Sequence, residues 1–374
     1  MSATAKNDSR LLELDGLRGS AVLMVLSWHF VGAMIDPKLG AWASGLYRVL
    51  ILGRSGVDLF FVLSGFLITQ IILKRRRSGG RFLLAFYMRR ALRIIPPYSI
   101  LVGVFWLFVV GGVHSSAFGA ETPFWRHLSF TQNFWMSEHN QWGPGAISVT
   151  WSVAIEEHYY LFFPLLVLCV NRRYLPLVLL VVGVASVATR AWLHKIAPDN
   201  PFSCYVMTLS RLDGLAAGGL IAFYNVAGFF ERLSPAVERI FVRVTYALML
   251  FIPLLGVAIA YDLPNSMFYF GHTYLTLLFS SVLIFLLAKR GSPVLHWLRS
   301  SPLRFLGKIS YSVYLFHPLI LSSVFMTDGR PERLAELCDG ALALAALALT
   351  IGWSVFLFRY LEGPLINYGK RFQY

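Results

Sequence analysis

The chain has 374 residues, of which 57% are hydrophobic and only 14% are charged, and its mean hydropathy is +0.62. No soluble domain of this size needs so much apolar surface, so the composition indicates a polytopic membrane protein. The formal net charge of +14 would suit a nucleic-acid partner, but membrane topology accounts for most of the basic residues. We therefore expect no nucleic acid.

Ten apolar runs are long enough to cross a bilayer, which predicts an all-α fold of about ten transmembrane helices. They cover approximately residues 17–35, 57–73, 96–113, 155–170, 174–190, 205–226, 243–261, 271–288, 308–325 and 341–361. When the N-terminus is placed in the cytoplasm, most lysine and arginine residues fall in inner loops, so both termini are predicted to be cytoplasmic. We expect one domain over residues 1–374, with its core at 14–361 and no soluble esterase-like domain after it.

The first apolar run contains Arg18 near its start and His29 well inside it. On a helix, this separation is a rise of about 16 Å and nearly three whole turns, so both side chains fall on almost one face. Ionisable groups inside a membrane span are costly and are functional candidates by default. Histidine can act as a general base near neutral pH. The alternative is an interfacial arginine that snorkels and a histidine that hydrogen-bonds a neighbouring helix.

The first inner loop is strongly basic. Residues 82–94 are predicted to form a short amphipathic helix that the two prolines at 96–97 stop. Arg90 and Arg93 are three residues apart and project together from a helix. Because the planar guanidinium group suits phosphate, this pair, together with Arg89, could bind the phosphates of a nucleotide-like cofactor. Positive-inside topology or anionic lipid binding would explain the same residues.

A carboxylate or a carbonyl is needed to fix the tautomer of His29. Three carboxylates lie in the outer parts of apolar runs and could do so: Asp58, Glu156 and Glu157. The residues alone do not choose among them. Glu156 and Glu157 are adjacent and point about 100° apart on a helix, so at most one is predicted to face a shared site. Either could instead be a helix-start carboxylate that the helix dipole favours.

Further polar and aromatic residues mark the outer half. Arg211 lies within the sixth run, and His317 lies near the middle of the ninth, where a structural hydrogen bond is the more common role. The outer loop at 114–150 is rich in aromatic residues, which suits an interfacial belt or, less commonly, a surface on which carbohydrate stacks. Close helix packing is predicted at Gly65, Gly214, Gly218 and Gly219. The three cysteines show no metal-ligand spacing, and we expect no metal.

Six stretches together resemble the acyltransferase-3 family of integral membrane acyltransferases. In chain order they are LDGLRGSAVLMVLSWHF, GRSGVDLFFVLSGFLIT, FYMRRALRIIPPY, TWSVAIEEHYYLFFP, RLDGLAAGGLIA and LGKISYSVYLFHPL. Each stretch is weak alone. Their order from residue 14 to 319 is specific, as is the family's spacing of ten residues between the arginine and the histidine. His158 stands where the family more often has glutamine.

The resemblance implies transfer of an acyl group, expected to be acetyl, from cytosolic acyl-coenzyme A (acyl-CoA) to a hydroxyl of a carbohydrate or glycolipid. Acceptors in the family are often lipopolysaccharide, capsule, peptidoglycan, a nodulation factor or a macrolide. The resemblance also implies a multi-pass protein of the bacterial cytoplasmic (inner) membrane, surrounded by membrane lipid.

The resemblance further implies roles for particular residues. His29 would be the catalytic residue and Arg18 its partner, while Arg90 and Arg93 would serve coenzyme A. A carboxylate of the TWSVAIEEHYY stretch is also implied, without a choice between its two glutamates. We expect contacts with the acceptor from Arg211, Trp151 and His317.

A transporter or channel with a proton-relay histidine is the main alternative, since it would also have many spans, intramembrane charges and glycine-rich helices. The inner Arg-x-x-Arg pair, combined with a histidine aligned to an arginine, disfavours it. A lipid-linked glycosyltransferase is a weaker alternative. An aspartate-rich outer loop would be expected for it, and residues 114–150 contain no aspartate.

Overall fold

The computed structural model describes residues 12–75, 80–113, 115–260, 270–289, 292–327 and 333–372. Within these ranges the protein consists of helices joined by short turns, and no strand is present. The α-helices are α1 (Leu12–Phe30), α2 (Ala41–Leu50), α3 (Gly56–Arg75), α4 (Gly80–Val110), α5 (Phe124–Leu128), α6 (Gln132–His139), α7 (Thr150–Cys169), α8 (Leu175–Ile196), α9 (Pro201–Val206), α10 (Leu212–Val226), α11 (Pro235–Leu250), α12 (Ile252–Ala260), α13 (His272–Ala288), α14 (Ser301–Thr327), α15 (Leu337–Leu357) and α16 (Gly363–Gly369).

Eight helical segments of the described chain are long and apolar enough to cross a membrane, and a ninth results if the bent pair His272–Ala288 and Pro293–Arg299 forms one span. The predicted all-α, multi-pass membrane fold is thereby confirmed. The predicted run at 205–226 is not a continuous helix. A 3-10 turn at Thr208–Arg211 separates α9 from α10, which leaves only 15 residues in α10.

Helix α4 differs from its prediction, because it continues through the prolines at 96–97 instead of ending before them. Each proline leaves the carbonyl one turn earlier without its helical N–H partner. A membrane helix tolerates this where neighbouring groups satisfy the backbone. The two carbonyls affected are those of Leu92 and Arg93. Next to them, Tyr311 of α14 donates a 3.0 Å hydrogen bond to the carbonyl of Ile94. Arg90 and Arg93 therefore belong to one long helix that is fixed against α14.

Helices α3 and α10 are in direct backbone contact at the centre of the protein. A Cβ on Gly65 would lie 1.9 Å from the carbonyl oxygen of Leu215, and a Cβ on Gly218 would lie 2.0 Å from that of Val62. No side chain fits at either position, so the close packing predicted there is confirmed. This contact sets the position of the N-terminal turns of both helices, which carry charged residues.

Candidate active site

A cavity lies among α1, α3, α4, α7 and α14. Charged and hydroxyl-bearing side chains from different helices converge on it. The lining includes three arginines, two glutamates and a tyrosine: Arg18, Arg90, Arg93, Glu156, Glu157 and Tyr160.

Three arginines form the basic side of this cavity. The Nη2 atom of Arg18 donates a 3.2 Å hydrogen bond to Ser310, and the guanidinium of Arg90 lies 5.3 Å from the ring centroid of Tyr160. Arg18 is within electrostatic reach of both Arg90 and Arg93. Glu156 and Glu157 line the same cavity and balance part of this positive charge. An anion with several oxygens could still contact more than one of the guanidinium groups at once.

Both glutamates of α7 line the cavity, so the prediction that at most one would face a shared site is wrong. Glu156 accepts hydrogen bonds from Ser64 at 2.6 Å and from Tyr160 at 2.9 Å. Glu157 lies within electrostatic reach of Tyr311 on α14, and its Oε1 atom accepts no hydrogen bond from the described residues. The cavity extends from α3 to α14 across α7, which is why adjacent residues can both reach it.

Glu362 lies behind this site and was missed by the sequence analysis. It belongs to the π-helical turn Phe358–Glu362, is only 1% exposed and accepts a short hydrogen bond from Ser312. It is within electrostatic reach of Arg18 and Arg93. Glu362 is a carboxylate at the end of the last predicted apolar run. The other candidate carboxylates were identified by the same kind of position, so the sequence could also have identified Glu362.

Arg89 is turned away from the cavity. Its Nε atom donates to the carbonyl oxygen of Phe372 at 2.9 Å, and its Nη2 atom donates to that of Lys370 at 3.4 Å. Adjacent residues of a helix point about 100° apart, so Arg89 contacts the C-terminal segment while Arg90 faces the ligand space. The structure therefore does not support the expectation that Arg89 joins the predicted phosphate-binding pair.

His29 is half-buried at the far end of α1 and is not part of the cavity lining. Its Nδ1 atom lies 2.9 Å from the carbonyl oxygen of Val25, so in the neutral ring Nδ1 must carry the proton and Nε2 the lone pair. A backbone carbonyl thus fixes the tautomer, which is one of the two kinds of partner that the sequence analysis allowed. The ring meets that of His317 edge to face, with centroids 4.6 Å apart.

His317 is buried, and its Nδ1 atom lies 2.9 Å from the carbonyl oxygen of Tyr314. Its Nε2 atom has no hydrogen-bond partner within the described ranges. The ring of Tyr314 lies 5.9 Å from that of His317, and Tyr314 also lines the cavity. Tyr314 therefore connects the arginine-lined cavity to the pair of histidines.

Asp58 does not contact His29, contrary to the expectation that it might fix that ring. It accepts a 2.7 Å hydrogen bond from Arg211, and His272 lies 3.3 Å from the same oxygen. The first turn of α3 faces α10 and α13, which explains these partners. The guanidinium of Arg211 also lies 5.9 Å from the ring centroid of Trp151, which is 4% exposed. Arg211 and Trp151 are thus packed in this buried cluster, outside the cavity.

A second buried ion pair lies beside the first. Arg190 donates to Asp213 at 3.0 Å and to Thr273 at 2.8 Å, and Arg190 is fully buried. The sequence analysis did not single out Arg190. His272 was also missed, because nothing in the local sequence indicates that α13 packs against the start of α3.

The fold and the cavity define a multi-pass membrane protein with clustered guanidinium groups around an internal cavity. Residues 11–359 match the acyltransferase 3 family, described as an acyltransferase domain, and the chain belongs to this family.

Two relatives illustrate the similarity. The O-acetyltransferase OatA of Staphylococcus aureus is 29% identical over 375 residues, which cover 95% of this chain and 57% of the relative. The peptidoglycan O-acetyltransferase OatA of Listeria monocytogenes is 27% identical over 383 residues, which cover 96% and 57%. The chain thus spans a little over half the length of these relatives. No solved structure matches the chain.

Proposed function

We propose that the protein is a membrane O-acyltransferase of the bacterial inner membrane. It would move an acyl group, expected to be acetyl, from cytosolic acyl-CoA to a hydroxyl of a carbohydrate or glycolipid at the outer side. The observation that carries this proposal is the convergence of Arg18, Arg90 and Arg93 on one cavity. Family membership and the O-acetyltransferase relatives support it.

The donor would bind with its phosphates on Arg90 and Arg93. Guanidinium groups bind phosphate oxygens through paired, charge-assisted hydrogen bonds, which suits a ligand with several phosphates. The positive-inside rule favours a cytosolic location for this end of the protein. Arg18 lies deeper along α1 and would attract the remaining negative charge, so the thioester arm would extend toward Tyr314.

His29 would act as the general base. Its Nε2 atom would take the proton of the acceptor hydroxyl while that oxygen attacks the thioester carbonyl carbon. The carbon–sulfur bond would break, and the imidazolium would return the proton to the departing coenzyme A thiolate. Because the Val25 carbonyl holds Nδ1–H, the lone pair of Nε2 stays available. If His29 instead takes the acyl group first, steady-state kinetics would show a ping-pong pattern.

Binding of acetyl-CoA to the purified protein in nanodiscs tests the donor site. We expect Arg90→Gln and Arg93→Gln each to weaken binding about tenfold or more, because each removes charge-assisted hydrogen bonds worth roughly 1.5–3 kcal/mol. Arg89→Gln is the matched control. It removes the same charge from the same helix but faces the C-terminal segment, so we expect affinity within about twofold of the wild type.

Equal weakening in all three variants would mean that only the overall basic charge matters, and the proposed donor site would be wrong. Release of free coenzyme A thiol in the presence of a glycan acceptor then tests the reaction. Acetyl-CoA binding without any thiol release, even from the wild type, would contradict acyl transfer.

A further inference from the structure

Arg54 is a half-buried cation near His29 that no carboxylate of the described residues neutralises. It lies in the 3-10 segment Ile51–Ser55. Its guanidinium carbon lies 5.8 Å from the ring centroid of Trp28 and 5.2 Å from that of Tyr205. No hydrogen bond or ion pair joins its side chain to another group in the described ranges. The two other arginines of this region, Arg190 and Arg211, both pair with aspartates.

The backbone holds Arg54 in this position. A Cβ on Gly53 would lie 2.3 Å from the carbonyl oxygen of Met24, and a Cβ on Gly56 would lie 2.4 Å from that of Ala21. The segment between these glycines is therefore pressed against α1. This contact brings Arg54 beside Trp28 and within electrostatic reach of the next residue, His29.

Next to Arg54, aromatic rings pack against one another in a continuous row, which we call the aromatic wall. The ring of Tyr205 lies 5.0 Å from that of Trp151 and 5.3 Å from that of Trp142. Trp142 is 36% exposed, so the wall reaches the surface. An aromatic face packs well against the apolar face of a sugar ring, while its amphipathic edge tolerates water. A half-buried cation gains most from an anionic group that replaces its lost hydration.

We propose that the acceptor is an acidic carbohydrate whose carboxylate binds Arg54 while its sugar ring packs on Tyr205 and the exposed Trp142. This position would bring a neighbouring hydroxyl of the same sugar to His29. Trp151 is buried and supports the ring of Tyr205 from within the protein. The inference rests on the proposed function, since it takes the bound sugar to be the acyl acceptor.

Binding of two matched glycosides to the protein in nanodiscs tests this inference. Phenyl β-D-glucuronide and phenyl β-D-glucoside differ only in the carboxylate. We expect the wild type to bind the glucuronide about tenfold more tightly, as one charge-assisted contact allows. We expect Arg54→Gln to abolish this preference and Arg54→Lys to retain part of it. Lys38→Gln removes an exposed positive charge from the segment that follows α1, and we expect it to leave the preference unchanged.

Three results would overturn the inference: no binding of the glucuronide, equal binding of both glycosides by the wild type, or a preference that survives Arg54→Gln. Thermal unfolding of each variant shows whether it is folded, and Arg54→Lys keeps the test valid if Arg54→Gln is unstable. Thiol release from acetyl-CoA is measured separately. Thiol release without a glucuronide preference would refute only the inference. The preference without thiol release would refute the proposed reaction and, with it, the assignment of the bound sugar as acceptor, but it would leave the carboxylate-binding site at Arg54 in place.

Discussion

Two groups of buried charges lie in the same helical bundle and are arranged in opposite ways. Near the start of α10, Asp58 and Arg211 form a direct ion pair of 2.7 Å, and Arg190 and Asp213 form another of 3.0 Å. At the cavity, Arg18, Arg90 and Arg93 lie near carboxylates, but within the described ranges none of these three forms an ion pair.

The difference indicates which charges hold the fold and which are available to a ligand. A charge removed from water needs a partner. Where the partner is another side chain at hydrogen-bonding distance, the pair fixes two helices together. Where the opposite charges stand apart around an open space, a ligand can supply the missing contacts. We therefore expect substitutions in the first group to reduce stability and substitutions in the second to reduce binding or catalysis.

The largest expected effect comes from His29, which lies between the two groups. We expect His29→Gln to lower the rate of acetyl transfer about 10²–10⁴-fold, the usual contribution of a general base. Acetyl-CoA affinity and the unfolding temperature should change little, because the ring is half-buried and its hydrogen bond within the described ranges is to its own helix. The measurement is single-turnover transfer from radiolabelled acetyl-CoA.

His139→Gln is a closely matched control. That histidine also bonds the carbonyl four residues earlier, with Nδ1 3.0 Å from the oxygen of Trp135, but it lies on α6 in the outer loop. We expect wild-type transfer from it. If His29→Gln transferred acetyl at the wild-type rate, another group would have to remove the proton of the acceptor hydroxyl. The role of His29 would then be structural.

The next largest effect tests the ion-paired group. Asp58→Asn leaves Arg211, which is 1% exposed, without its counter-charge. Breaking a buried ion pair costs about 3–5 kcal/mol. We expect a clearly lower unfolding temperature, with acetyl-CoA affinity per folded molecule unchanged. The double variant Asp58→Asn/Arg211→Gln should regain part of the stability, because it leaves no unpaired charge. If Asp58→Asn were as stable as the wild type but no longer bound acetyl-CoA, Asp58 would serve ligand binding and not the stability of the fold.

The sequence predicted the cavity group better than the ion-paired group, and the reason is physical. Arg90 and Arg93 share a helical face because they are three residues apart, and this local geometry survives even though α4 continues past the prolines at 96–97. The pairing of Asp58 with Arg211 depends on how α3 packs against α10, which no local pattern specifies. The tautomer of His29 shows the same limit, since the sequence allowed either a carboxylate or a carbonyl as partner and only the structure identifies the carbonyl of Val25 on the same helix.

The smallest expected effect is at the adjacent residues Glu156 and Glu157, which differ in the same way as the two groups of charges. Glu156 resembles the paired group, because both of its oxygens accept hydrogen bonds, from Ser64 and Tyr160. Glu157 resembles the open group, because it lines the cavity and its buried Oε1 atom has no hydrogen-bond donor within the described ranges. Glu157→Gln should lower kcat/KM about tenfold with little change in unfolding temperature, since it removes one charge-assisted contact with a ligand.

Glu156→Gln should instead destabilise the protein, because it removes the negative charge near Arg18 and Arg90 that partly balances them. Parallel measurements of unfolding temperature and kcat/KM on the two variants separate these outcomes. Each variant serves as the control for the other, since the substitution is identical and the positions are consecutive. If Glu156→Gln alone lost activity while remaining fully stable, the carboxylate of Glu156 would be acting on the substrate despite its two hydrogen bonds. The number of hydrogen bonds that a carboxylate accepts would then not distinguish structural charges from ligand-binding charges in this protein.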